Sequence, residues 1–140
     1  MSYRITFMTF TDCHSSNRMR SRAFIVAEAA NPANRIVFVN SDIGFADSGI
    51  RRGVIKKLSS LYPGVYDDTN VGITGTHSHA GVGGYPENLL PQVTSLGFVK
   101  ETYDAIVEGT VKAIIDAHNS LSPGSLNFGT TEVRHVEAAI

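Results

Sequence analysis

The chain has 140 residues with a net charge of -1, 42% hydrophobic and 18% charged content. That is enough for one domain with its own core, and the composition is that of a globular protein. The near-neutral charge, with no basic run longer than two residues, gives no footprint for nucleic acid or an anionic membrane surface. Cys13 is alone, so no intrachain disulfide is expected. No segment has the apolar length of a transmembrane helix, and Met1–Thr11, interrupted by Arg4 and threonines, lacks the build of a signal peptide.

In chain order, "SRAFIVAEAA" (21–30) and "RIVFVN" (35–40) read as strands that a turn at Asn31–Asn34 could fold into a hairpin. "SDIGFADSG" then reads as a loop. From Ile50 the period becomes helical: Ile50, Val54, Leu58 and Leu61 share a face, Asp47 or Ser48 can cap the start, and "YPG" ends it. "NVGIT" (70–74) reads as a short buried strand. A second helix is expected from about Thr94 to Ser120, with Thr94 or Ser95 as its cap and Phe98, Ile106, Val107, Val111, Ile114 and Ile115 as its apolar face. "SPG" (122–124) closes it, and "SLNFGTTEVRHVE" alternates as a last strand or two. Strands alternating with helices predict an α/β domain, a mixed sheet with helices packed on it. In such sheets ligands sit at the carboxyl ends of strands. Two loops leave such ends here, one with Asp42 and the other with His77 and His79, and both are expected on the same edge.

The second of these loops, "TGTHSHAGVGGYPENLLP" (74–91), holds the chemistry. Two residues apart on extended backbone, His77 and His79 would point to one side. Imidazole is the commonest metal ligand. A zinc-bound histidine usually gives its other N–H to a carboxylate or carbonyl, a role for which Asp42 is the candidate. The alternatives stay open: an H-x-H pair also arises by chance, and Gly81, Gly83 and Gly84 could serve only a tight turn. No phosphate-loop or dinucleotide spacing is present. Tyr85 could line a pocket or pack. His14, beside Cys13, reads as incidental. His118 reads as a cation suiting a helix C-terminus, Asp67 and Asp68 as a solvated turn, and His135 is unassigned.

"GTHSHAGVGGY" (75–85) resembles the neutral ceramidases, zinc amidases whose signature runs approximately G-T-H-T-H-S-G-P-G-G-Y. Ser78, Ala80 and Val82 depart from it. "RAFIV" (22–26), "VNSDIG" (39–44), "RRGVIKKLSSLYPGVYDDTNV" (51–71) and "TSLGFVKETYDAIVEGTVKAIIDAHNSLSPGSL" (94–126) look like the N-terminal region of that family. The resemblance implies that residues 1–140 are the N-terminal portion of a larger catalytic domain. It implies a zinc ligand at His77, an active-site neighbour at His79, and a substrate entrance bordered by Gly83, Gly84 and Tyr85. It also implies zinc as cofactor, ceramide as substrate, and an outward-facing or secreted location. The family's other ligands, a second His, a Glu and a Tyr, fall downstream of the matching region. The chain is therefore expected to be an incomplete piece with little activity alone. Two rival readings are a non-catalytic domain of the same fold and an unrelated metal hydrolase built from His77, His79, Asp42 and His14.

Overall fold

A computed structural model describes residues 3–10 and 19–132. The element order is β1 (Tyr3–Phe10), β2 (Ser21–Glu28), β3 (Arg35–Ser41), α1 (Ser48–Leu61), β4 (Val71–Gly75), α2 (Leu89–Thr94), α3 (Lys100–Asn119) and β5 (Ser122–Gly124). The sheet runs β4-β3-β2-β1-β5. β1, β2, β3 and β5 pair antiparallel, while β3 and β4 pair parallel with α1 as the crossover between them. The fold is α/β, a mixed sheet with helices packed on it, as the alternation of periods predicts.

The β2–β3 hairpin forms across the expected turn, with Ser21 opposite Ser41 and Ala27 opposite Arg35. Alternation along β2 sends Ala23, Ile25 and Ala27 into the core, where Val37 and Val39 of β3 join them. Both long helices lie on that face. α1 contributes Ile50, Val54 and Leu58, and α3 contributes Val107, Ala113, Ile114 and Ala117. Where α3 passes over the sheet, Ser21, Ser41 and Thr110 are buried and satisfy one another by hydroxyl hydrogen bonds. On the opposite face Ile36 and Phe38 are exposed. Leu61, expected on the buried side of α1, is exposed where the helix runs out.

Three sequence expectations are corrected. β1 was not foreseen; its arginine and threonines read as interruptions, yet threonine fits a pleated surface and the segment pairs along all of β2. The single helix expected from about Thr94 is two helices. Leu96 (φ 61°) and Gly97 (φ 118°) take left-handed backbone, so Ser95 closes α2 and Val99 stands at the start of α3 without a side-chain cap. Finally, "SPG" is not merely a terminator: it is β5, paired with Tyr3–Ile5 at the sheet edge, where a proline is tolerated. No strand follows it among the described residues up to Glu132.

Candidate functional site

The parallel β3–β4 pair puts both expected loops at one edge, and backbone bonds fasten them to each other. Thr76 N–H donates to the Ser41 carbonyl at 2.9 Å and Ser78 N–H to the Ile43 carbonyl at 3.3 Å. The approach is close: a Cβ on Gly75 would stand 2.8 Å from the Ile43 carbonyl oxygen, so position 75 takes only glycine without a backbone shift. Asp47, buried at the start of α1, is the second fastening. Its carboxylate caps the helix through Gly49 N–H at 2.7 Å and also accepts from Glu87 N–H at 3.3 Å and Asn88 Nδ2 at 2.7 Å. The cap was legible in the sequence; its second use as the anchor of the glycine loop was not.

His77 is not extended. Its φ of 61° lies in the left-handed region, which costs a non-glycine residue roughly 1–2 kcal/mol. The two imidazoles nevertheless meet, by a turn instead of a pleat: their ring centroids are 4.8 Å apart at 77° and their Nε2 atoms 3.2 Å apart. His77 Nδ1 donates to the Gly44 carbonyl at 2.7 Å. That bond places the proton on Nδ1 and leaves the Nε2 lone pair turned toward His79, whose Nε2–H donates to it. Both rings are exposed.

Asp42 does not take the place expected of it. It forms an ion pair with Arg22 at 2.8 Å and accepts from Arg20 N–H at 3.1 Å, and the Arg22 hydrogen bond holds its carboxyl below the usual aspartate range. The ring N–H of His77 goes to the Gly44 carbonyl, which no side-chain pattern could have revealed. Tyr85 is 3% exposed, so its ring packs within the core; its hydroxyl accepts from Phe45 N–H at 3.1 Å and donates to the Phe45 carbonyl at 3.0 Å. It positions the Gly44 turn under His77 and does not face solvent. Gly84 is also buried and needs its φ of 76°, while Gly83 stays on the open side. His14 and His135 lie outside the described residues.

The ligand set fits a zinc ion in part. Two nitrogens bound at about 2.0–2.1 Å to a tetrahedral centre stand about 3.3 Å apart, close to the observed Nε2 separation of 3.2 Å. Among the described residues no group of three or more His, Cys, Asp or Glu converges. A catalytic zinc normally takes three protein ligands, so the arrangement supplies one side of a site and not the whole of it.

Residues 11–139 match the family model described as neutral/alkaline non-lysosomal ceramidase, N-terminal. Over 116 residues the chain is 49% identical to neutral ceramidase 3 of Arabidopsis thaliana, covering 83% of this chain and 16% of that protein. Over 118 residues it is 40% identical to the neutral ceramidase of Pseudomonas aeruginosa, covering 84% of this chain and 18% of that one. The crystal structure of neutral ceramidase from Pseudomonas aeruginosa superposes with a TM-score of 0.78 at 33% identity, covering 87% of this chain and 22% of that chain. A structure titled as a ceramidase complexed with C2 superposes with a TM-score of 0.80 at 32% identity and the same coverage. The chain spans about a sixth of the length of these curated relatives.

Proposed function

This chain belongs to the neutral/alkaline non-lysosomal ceramidase family, and from that premise we propose that it forms one wall of a zinc-dependent amidase site. The reaction is hydrolysis of the N-acyl bond of ceramide to sphingosine and a fatty acid. The observation that carries the reading is His77, held by the Gly44 carbonyl with its Nε2 lone pair free and a second imidazole 3.2 Å away, at the carboxyl edge of the sheet.

In this reading His77 Nε2 is a zinc ligand. Zinc, when bound, polarises a carbonyl and lowers the pKa of water toward neutrality. The chain's own residues do the positioning. The Gly44 carbonyl fixes the tautomer and orientation of His77, as outer partners of metal-bound imidazoles do. Tyr85 fixes the Gly44 turn. His79 holds a proton at Nε2 beside the metal, and its place next to the reacting atoms makes it the catalytic neighbour. Gly83 and Gly84 let bare backbone form the rim of the entrance, with Tyr85 beneath it. The remaining ligands come from polypeptide other than residues 19–132.

The test is zinc titration and hydrolysis of a fluorescent ceramide by the purified chain. Zinc binding that falls on the order of 100-fold or more in His77→Ala, with little turnover by the chain alone, is expected. Binding unchanged in His77→Ala defeats the ligand assignment, and brisk turnover defeats the claim of a partial site. A second reading, a non-catalytic domain of this fold, draws support from the lack of a third converging ligand among the described residues. It predicts no hydrolysis even when the chain is complemented with the remainder of a homologous ceramidase.

A further inference from the structure

We propose that the segment 89–99 is a lipid-docking surface that seats the site on an uncharged bilayer. The inference rests on the ceramide reading above for its direction and on the following geometry for its substance.

The polarity of this segment is inverted. α2 buries no residue. Leu89, Leu90 and Leu96 are 77%, 80% and 97% exposed, and Val93, Phe98 and Val99 are exposed with them. The side chains turned toward the body are polar. Gln92 Nε2 donates to the carbonyls of Pro86 and Glu87 at 3.2 and 3.0 Å, and Ser95 is half-buried with its hydroxyl on the Pro91 carbonyl at 2.8 Å. A surface helix normally does the reverse. Six large apolar side chains offered outward within eleven residues mark an interaction surface, since monomeric proteins rarely expose such a run.

The segment is bolted to the histidine loop. Val99 N–H donates to the Gly84 carbonyl at 2.7 Å, and a Cβ on Gly83 would stand 3.7 Å from Ser95 Cβ. Whatever α2 sits on is therefore beside the entrance that the glycines border. The occupant is argued from charge. No residue from Leu89 to Val99 is ionisable, and the flanking charges are spent locally, Glu87 on Arg52 and Lys100 on Asp104. Such a patch suits a neutral or zwitterionic surface and gains nothing from an anionic one. At six residues, about 9 Å long, α2 can only lie in the interface plane, with leucines entering the headgroup boundary.

Flotation of the purified chain with phosphatidylcholine vesicles tests this. The wild type is expected to float, equally at low and high salt. The Leu90→Asp/Leu96→Asp double variant is expected to lose on the order of tenfold or more in partitioning, with Leu90→Ser/Leu96→Ser as a milder pair should the first lose its helical circular dichroism. Ile36→Asp/Phe38→Asp, on the exposed sheet face, is expected to float like the wild type. Equal flotation of both leucine pairs, no flotation of the wild type, or loss of flotation only in the sheet-face variant overturns the proposal. So does an oligomeric wild type that the leucine variants turn monomeric, since the patch would then join copies of the chain. His77→Ala on the same vesicles separates the two readings. Lost zinc binding with flotation intact leaves docking independent of the metal, whereas zinc bound normally by a chain that never floats defeats docking alone.

Discussion

Histidines stand at both ends of the β3 strand, and the protein treats them in opposite ways. At the amino end His118 of α3 is surrounded: Tyr62 stacks on it with centroids 4.4 Å apart, Tyr66 donates its hydroxyl to Nδ1 at 2.6 Å, and Arg35 Nη1 lies 3.4 Å from the same nitrogen. Arginine can only donate, so Nδ1 accepts and the ring is neutral with its proton on Nε2. Burial, then Arg35, pushes its pKa below 6.5. The helix-terminal cation suggested by sequence position is therefore a neutral acceptor. At the carboxyl end His77 and His79 are exposed, and His77 has one backbone partner and one nitrogen turned outward. Imidazoles with every valence satisfied hold a fold together; an imidazole anchored on one side only is available for chemistry.

That contrast can be broken by mutation. The largest stability effect is expected from His118→Ala, which strands the Tyr66 hydroxyl, 1% exposed as a residue, and removes the Tyr62 stack. A loss of about 2–4 kcal/mol in urea unfolding is expected, against no more than about 0.5 kcal/mol for His79→Ala at the other end. Equal losses for the two would erase the distinction. Asp47→Ala is next, with a loss of about 1–3 kcal/mol from the cap and from the buried donors of Glu87 and Asn88. It should also loosen the histidine loop, read as faster amide exchange over residues 76–88. Tyr66→Phe, which removes one donor from the His118 cluster, is expected to cost about 1 kcal/mol.

The smallest effect is a pH dependence. Because the folded chain holds His118 below its ordinary value, the unfolded chain takes up a proton that the folded one refuses. Stability is complete above pH 6.5, declines as pH falls through 6.5 toward the folded value, and then levels. His118→Gln should flatten that step in urea midpoints measured across the range. A second decline, from the Arg22-paired Asp42, begins only as pH falls through 3.8.

Much of this architecture could be read from residue patterns, for physical reasons that also mark where reading stops. The β2–β3 hairpin, α1 with its Asp47 cap, and β4 each carry their own period and punctuation. The convergence of two loops on one edge follows from the parallel crossover. The break at Leu96–Gly97 was hidden because leucine seldom adopts left-handed backbone, and β1 because its partners are distant in sequence. At the site, the side-chain types at positions 77 and 79 were legible, whereas the Gly44 carbonyl was not, since every residue carries one. The placement of Asp42 failed because Arg22 pairs with it from a neighbouring strand, twenty residues away.

The left-handed backbone at residue 77 sets folding and chemistry against each other at a single position. Glycine there would relax the turn and raise thermal resistance, and it would carry no imidazole. A selection for heat tolerance alone would therefore drift toward a sturdier, inert protein at this codon, while a selection for turnover would have to tolerate the torsional load.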